Sequence, residues 1–206
     1  MALNTPRIGV FGGAFDPPHN AHVALARCAV TQLGLEELRI FPTGQAWHKA
    51  RELSAAPHRL AMARLAFGRR ARMVVDPREI RRSGPTYTLD TLRELKRARP
   101  QAQWVLIMGA DQAAALPSWH GWREILSTAV IAIAQRPDTS GNVPVFDPAQ
   151  LPEVPPAARF ERIDLPAMDI SATDIRARAA AGTPVSALVP PAVARYIALH
   201  HLYRTA

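Results

Sequence analysis

Two glycines and two histidines lie where a short apolar run gives way to a helical pattern. Gly12 and Gly13 follow residues 8–11, which are typical of a buried strand, and His19 and His22 precede a helix predicted over residues 23–30. Glycine lets backbone N–H groups approach a ligand closely. The start of a helix favours anions through its free N–H groups and its dipole. Because two imidazoles there can donate hydrogen bonds to phosphate oxygens, this stretch predicts a nucleotide phosphate site.

The same residues allow other interpretations. Two histidines three residues apart could be zinc ligands, although the sequence has no matching His or Cys cluster elsewhere. They could also be incidental residues at a helix start. The glycines do not have the spacing of the dinucleotide-binding fingerprint, and no Gly-Lys-Ser/Thr follows them. The pattern therefore argues against an ordinary Rossmann dehydrogenase and against a P-loop enzyme.

A second group of hydroxyl and cationic residues lies near the other end of the chain. Ser171, followed three residues later by Asp174, is typical of a capping box that starts a helix. Thr173 and Arg176 fall within about the first turn of that helix, so hydroxyls, free N–H groups and a guanidinium would form a second anion site. An ordinary capped surface helix would show the same pattern on its own.

Strand-like and helix-like segments alternate between these two groups. Strands are predicted at residues 8–11, 37–41, 72–75, 104–108 and 129–134, and helices at residues 23–30, 57–67 and 86–97. This alternation predicts an α/β fold with a Rossmann-like, open parallel sheet and helices on both faces. Ligands of such sheets bind beyond the carboxyl ends of the strands, where the glycine–histidine stretch lies. The Pro-rich residues 137–156 are predicted to form a surface loop.

The composition is typical of a globular enzyme. The chain has 206 residues, of which 48% are hydrophobic, so we expect one domain over residues 1–206 with a small C-terminal helical part from about residue 166. No run of about 18 apolar residues could span a membrane. The start of the chain lacks the apolar region of a signal peptide, and Cys28 is the single cysteine. We therefore expect a cytoplasmic location.

The net charge of +8 raises the alternative of a nucleic-acid-binding module. The cationic residues are scattered, however, and several fall on predicted amphipathic helices. Aromatic residues do not interleave with them as a platform for single strands would need. A positive field also suits substrates that carry several phosphates. We therefore expect no nucleic-acid partner.

The two groups resemble the signatures of a known superfamily. Residues 11–22 are similar to the Gly-Gly-x-Phe-Asp-Pro-x-His-x-Gly-His motif of the nucleotidyltransferases, and residues 169–176 resemble their Ile-Ser-x-Thr-x-Ile-Arg motif. Ala21 replaces the glycine between the histidines, which adds a methyl group but removes no donor. Further segments give nearly the whole chain a resemblance to the bacterial nicotinate-nucleotide adenylyltransferases. These segments are residues 81–92, 108–111, 116–122, 134–137 and 189–203.

The resemblance implies a reaction and its partners. The adenylyl group of ATP would pass to nicotinate mononucleotide, giving deamido-NAD and pyrophosphate in a step of NAD biosynthesis. The phosphate of the mononucleotide would attack the α-phosphorus of ATP in line, without a covalent enzyme intermediate. Mg²⁺ would bridge the ATP phosphates, without a dedicated protein metal site. The resemblance implies no membrane partner and leaves a homo-oligomer open.

The resemblance also assigns roles to residues, with His19 and His22 as the catalytic pair. The residues implied to bind ATP are Gly12, Gly13, Phe15, His19, His22, Asp111, Ser171, Thr173 and Arg176. Further phosphate contacts are implied for His48, Lys49 and Arg136. Trp119 would stack on the pyridine ring, and Thr88 and His120 would offer backbone N–H groups to the nicotinate carboxylate. Trp119 could instead be a core residue, and Asp111 could be only a helix N-cap.

Three other functions stay open on sequence grounds. The same chemistry could act on another acceptor, such as phosphopantetheine or nicotinamide mononucleotide. The basic surface could bind DNA or RNA. The fold could also serve as a nucleotide sensor that binds ATP without turnover.

Overall fold

A parallel sheet organises the molecule, whose computed structural model describes residues 5–44, 53–135 and 146–204. Within these ranges the strands are β1 (Arg7–Gly13), β2 (Glu37–Pro42), β3 (Met73–Val75), β4 (Gln103–Gly109), β5 (Val130–Gln135) and β6 (Phe160–Asp164). Their order in the sheet is β3-β2-β1-β4-β5-β6, and all neighbours pair in parallel. The five predicted strands and the predicted α/β class are therefore confirmed.

The strand order reverses between β1 and β4. From β1 the chain proceeds through β2 to β3 at one edge, and from β4 it proceeds through β5 to β6 at the other. In the register, Val10 of β1 lies between Arg39 of β2 and Leu106 of β4. A crevice opens beyond the carboxyl ends of strands at such a reversal. Gly12 and Gly13, which end β1, therefore lie at its mouth.

The helices of the described residues cover both faces of the sheet. They are α1 (Asn20–Gln32), α2 (Ala56–Phe67), α3 (Arg78–Arg81), α4 (Thr88–Ala98), α5 (Ala110–Ala114), α6 (Trp122–Thr128), α7 (Ala172–Ala180) and α8 (Pro191–Leu199). Buried side chains of α1, α2, α7 and α8 share one hydrophobic cluster, and those of α4, α5 and α6 share another.

Strand β4 shows how the sheet separates these two clusters. Val105 and Ile107 belong to the cluster of α1 and α2, whereas Leu106 and Met108 belong to the cluster of α4 and α6. Successive side chains of a strand point to opposite faces, so a strand covered on both faces must be apolar throughout. All of β5 is buried in the same way, and it is an interior strand, as its apolar run predicts.

Several elements differ from the sequence expectations. The strand β6 was not predicted, because three of the five residues of Phe160–Asp164 are charged and the strand lies at an edge of the sheet, where only Ile163 is fully buried. The helices α3 and α5 are too short to show a period. The predicted loop 137–156 lies partly outside the described residues, and its described part includes a 3₁₀ helix, Pro148–Gln150. No helix among the described residues is long and apolar enough to cross a membrane.

Candidate active site

A cavity of about 670 Å³ opens at the carboxyl ends of β1 and β4. Its volume lies within the range of small-molecule sites. One part of its lining, here called the histidine wall, comprises Gly12, Gly13, His19, His22 and Ser171. Another part, the aromatic wall, comprises Tyr87, Thr88, Trp119 and His120. The histidine wall is built from α1 and α7 on one face of the sheet, and the aromatic wall from α4 and the segment before α6 on the other.

The two histidines of the first wall hold each other in place. The backbone N–H of His19, the N-cap of α1, donates to Nδ1 of His22 at 3.2 Å. The two rings stack with their centroids 3.7 Å apart. Because Nδ1 of His22 accepts this bond, the proton of the neutral ring is on Nε2. His22 can therefore donate from Nε2 without carrying a positive charge.

Phe15 shapes the turn between β1 and α1 and is not among the residues that line the cavity. It is buried at a φ of +48°, and its ring packs edge-on against Phe11, His22 and Phe67 at 5.3–5.5 Å. A side chain at Gly13 would place its Cβ 3.0 Å from Cζ of Phe15. The left-handed conformation of Phe15 costs about 1–3 kcal/mol, which this packing offsets. The glycine and the phenylalanine together fix the direction in which the histidines emerge.

The second predicted anion site forms only in part at the cavity. Ser171 is the N-cap of α7, and its hydroxyl accepts from the backbone N–H of Asp174 at 3.1 Å, as predicted. The carboxylate of Asp174 accepts from Arg178 at 2.9 Å, so only the Ser171 half of the predicted capping box forms. Ser171 lines the cavity, whereas Thr173 and Arg176 are not among its lining residues.

Arg176 joins the two sequence motifs directly. Its Nη1 donates to the backbone carbonyl of Asp16 at 2.9 Å, across 160 residues of sequence, and its Nη2 donates to the hydroxyl of Thr173 at 3.1 Å. Asp16 is 2% exposed. The guanidinium therefore cross-links the turn after β1 to the first turn of α7.

The aromatic wall depends on a close approach between two segments. The rings of Tyr87 and His120 lie 4.5 Å apart between centroids. Gly121, at a φ of +63°, lies so close to α4 that a Cβ there would be 2.3 Å from Cδ2 of Leu89. Only glycine combines this conformation with this contact. Trp119 is partly buried and lines the cavity, whereas Trp122 is a core residue.

Glu79 is a buried carboxyl group at the cavity that the sequence analysis missed. It is 6% exposed, and it accepts from the hydroxyl of Thr91 at 2.8 Å. Burial raises the pKa of Glu79 to about 7, against the opposing effects of Thr91 and Arg82. Nearby Thr86 also lines the cavity, and its buried hydroxyl has no hydrogen-bond partner within the described ranges. No periodicity or motif marks Glu79 in the sequence, whereas Thr86 lies in the segment 81–92 that resembles the family.

Other predicted site residues lie elsewhere. Asp111 is exposed and is not among the cavity residues, although its neighbour Gln112 is. It is not a helix N-cap either, because Gly109 caps α5. His48, Lys49 and Arg136 lie outside the described residues. Within the described ranges, no group of three or more His, Cys, Asp or Glu side chains could hold a metal ion.

Comparisons with known sequences agree over nearly the whole chain. A model of the cytidylyltransferase-like family matches residues 10–178. A protein of Albidiferax ferrireducens named probable nicotinate-nucleotide adenylyltransferase is 58% identical over 200 residues, which cover 97% of this chain and 99% of that protein. A protein of the same name from Methylibium petroleiphilum is 45% identical over 201 residues, covering 96% and 92%.

Solved structures share the fold. The nicotinic acid mononucleotide adenylyltransferase of Plasmodium falciparum, solved in complex with APC and in complex with NaAD, matches with a TM-score of 0.76. The match covers 96% of this chain and 97% of that chain at 18% identity. At that identity the likeness concerns the arrangement of strands and helices.

Proposed function

The chain belongs to the nicotinate-nucleotide adenylyltransferases of the cytidylyltransferase-like family, and from this premise we propose how its cavity performs adenylyl transfer. The acceptor is nicotinate mononucleotide, and the products are deamido-NAD and pyrophosphate. The observation that carries the proposal is the placement of two unlike walls around one cavity. The histidine wall offers donors for phosphate oxygens, and the aromatic wall offers a ring and helix N–H groups for a pyridine carboxylate.

The histidine wall aligns ATP. His22 donates from Nε2 to a phosphate oxygen and stabilises the charge that develops as pyrophosphate leaves. His19, the N–H groups at the start of α1, and Ser171 bind the remaining phosphate oxygens. Gly12 and Gly13 let the backbone approach the nucleotide closely. Arg176 and Thr173 contribute by holding the turn through Asp16, in addition to the contact with ATP that we predicted for them.

The aromatic wall binds the acceptor. Trp119 stacks on the pyridine ring, and the backbone N–H groups of Thr88 and His120 receive its carboxylate. Thr88 is the first residue of α4, so its N–H is among those without a partner inside the helix. The phosphate of the acceptor then lies against the α-phosphate of ATP, and attack in line needs alignment but no covalent intermediate.

Mg²⁺ enters this scheme with the nucleotide. The described residues offer no cluster of carboxylates or histidines for a resident ion, and hard oxygen ligands suit phosphates. When bound, Mg²⁺ neutralises charge on the ATP phosphates. We keep Asp111, His48, Lys49 and Arg136 as predicted contacts to ATP, with Asp111 directed to the ribose hydroxyls.

We place the reaction in the cytoplasm, because the single cysteine, Cys28, cannot form an internal disulfide and suits a reducing compartment. Fractionation of the source cells tests the location. The partners of the proposal are ATP and nicotinate mononucleotide. A homo-oligomer stays open, and light scattering of the purified protein would decide it.

Pyrophosphate release tests the proposal. Purified protein is incubated with ATP and Mg²⁺, and with nicotinate mononucleotide or nicotinamide mononucleotide in parallel. We expect a strong preference for the acid, since the N–H groups of the aromatic wall favour a carboxylate over an amide. Equal use of both would keep the chemistry and remove the acceptor assignment. ATP binding without release from either would favour another acceptor or a nucleotide sensor.

A further inference from the structure

Tyr203 lies in the last described turn of the chain, yet its hydroxyl reaches the first sequence motif. It donates to Oδ1 of Asp16 at 2.8 Å, across 187 residues of sequence. Asp16 lies three residues before His19 in the turn between β1 and α1. We infer that Tyr203 is a positioning residue for the histidine wall, acting through Asp16 on the turn that places His19 and His22. This inference rests on the proposed function.

Both oxygens of the Asp16 carboxylate are engaged by segments remote from the turn. Oδ1 accepts from Tyr203, and Oδ2 accepts from the backbone N–H of Ser54, just before α2, at 3.1 Å. The backbone carbonyl of Asp16 accepts from Arg176. Three regions of the chain thus converge on one residue of the turn. A carboxylate that is 2% exposed and held from two sides cannot rotate without losing a charge-assisted hydrogen bond.

Arg59 holds the segment whose backbone contacts Asp16. It is 2% exposed, and its Nε donates to the carbonyl of Ser54 at 2.9 Å. Its Nη1 donates to the carbonyls of Ala14 at 3.1 Å and Thr43 at 2.6 Å. Arg59 therefore ties the ends of β1 and β2 to the segment that holds Asp16. In a connected, buried network of this kind, removing one member affects the geometry of the others.

Tyr203 has the properties that this role requires. Burial, together with the charge of Asp16, raises the pKa of Tyr203 far above its ordinary value, so its hydroxyl stays a donor at every working pH. Its φ of +70° is unusual for a bulky residue, and such a conformation persists only where contacts hold it. These contacts include Asp16 and the sulfur of Met62, 3.9 Å from the hydroxyl.

The experiment compares two tyrosines of the C-terminal region in the full chain. Tyr203→Phe removes the hydroxyl that contacts Asp16. Tyr196→Phe is the matched control, since its hydroxyl contacts Nδ1 of His58 at 3.0 Å and neither residue lines the cavity. We expect Y203F to lower kcat about tenfold and raise KM for ATP several-fold, with KM for the mononucleotide within about twofold. We expect Y196F to keep all three values within about twofold.

A tyrosine that served only stability would give another result. Its loss would lower Tm and the folded fraction but would leave both KM values of the remaining enzyme unchanged. That outcome, or wild-type kinetics in Y203F, would overturn the inference. Absence of activity in the wild-type enzyme would instead refute the proposed function. Binding of a non-hydrolysable ATP analogue, measured by calorimetry, would then still test whether Tyr203 positions the histidine wall. We expect a weaker affinity for Y203F than for the wild type and Y196F.

A second variant covers the case in which Y203F does not fold. Asp16→Asn replaces the carboxylate by a neutral amide with one acceptor oxygen, so the bonds with Tyr203 and Ser54 both lose their charged acceptor. We expect the same selective loss on the ATP side, and unchanged ATP kinetics in D16N would also overturn the inference. Where both variants fold, the double variant should be little worse than D16N, because residues that act through one contact are not additive.

Discussion

The two walls of the cavity are held by different means. The histidine wall is cross-linked through buried polar groups, with Asp16 and Arg59 each 2% exposed. The aromatic wall depends on contacts between rings, on the approach of Gly121 to Leu89, and on an exposed ion pair between Arg93 of α4 and Glu124 of α6. Exposed ion pairs contribute little to stability. The wall proposed for chemistry is therefore fixed by buried hydrogen bonds from distant segments, and the wall proposed for substrate choice is fixed by packing and exposed contacts.

The largest effect should come from the histidine wall. His22→Ala removes the Nε2 donor, and we expect kcat to fall about 10³-fold, the loss typical of a donor aimed at developing charge. Steady-state pyrophosphate release at saturating substrates measures it. His58→Ala is the control, because His58 is not among the cavity residues. A loss below about tenfold in H22A would mean that the histidine wall does not stabilise the transition state.

Glu79, which accepts a hydrogen bond from Thr91 of α4, should make the stability of the protein depend on pH. Its pKa is about 7 in the folded protein and about 4.5 when unfolded, so the folded state holds the proton more tightly. The contribution of Glu79 to the free energy of unfolding is thus full below pH 4.5 and is lost as the pH rises through 7. We expect Glu79→Gln to remove this loss and to be more stable at pH 8, by on the order of 3 kcal/mol.

Urea denaturation of both proteins at pH 5 and pH 8 measures this difference. The two proteins should approach each other in stability at pH 5 and separate at pH 8. Glu124→Gln is the control. The hydrogen bond from Arg93 lowers the pKa of Glu124, so it titrates below its ordinary value and its loss should leave the change between pH 5 and pH 8 unaltered. If the free energy of unfolding changed with pH equally in wild type and E79Q, ionisation of Glu79 would cost the folded state little. The pKa of Glu79 would then not make stability depend on pH.

Trp119 should separate the two walls kinetically. Trp119→Ala removes the stacking surface, and we expect KM for the mononucleotide to rise about 30-fold while KM for ATP changes little. Trp119→Phe keeps a ring and should cost only a few-fold. Initial rates with each substrate varied in turn provide the measurement. If the KM values for ATP and for the mononucleotide rose together, Trp119 would maintain the shape of the whole cavity rather than bind the acceptor.

The smallest effect should come from Gly121. Gly121→Ala adds a methyl group at a φ of +63°, where it meets Leu89 at 2.3 Å. We expect KM for the mononucleotide to rise about fivefold and stability to fall by about 1–3 kcal/mol. Gly182→Ala is matched, because Gly182 has a φ of +71° with nothing within 4 Å of its Cβ position. Equal kinetics in the two variants would show that the contact with Leu89 does not position Trp119.

Features that depend on neighbouring residues could be predicted from the sequence, whereas features that depend on the folded structure could not. The histidine pair and Ser171 lie in local patterns of a few residues, and five strands are marked by apolar runs. No pattern marks Glu79, because its burial depends on how α3 packs in the fold. Tyr203 lies in the segment 189–203 that resembles the family, but its role depends on Asp16, 187 residues away. The roles of His48, Lys49 and Arg136 stay predictions. Edge strand β6 was missed because charged residues lie on both of its faces.

The hydrogen bond between Tyr203 and Asp16 also bears on how the protein is made. The tyrosine that holds the turn carrying the histidines is synthesised 187 residues after Asp16. A ribosome therefore adds that whole stretch of chain before this turn can be secured. We expect activity to rise about tenfold when Tyr203 becomes free to fold, which an activity assay on arrested nascent chains of increasing length would detect. A chain arrested before this point would use ATP more slowly.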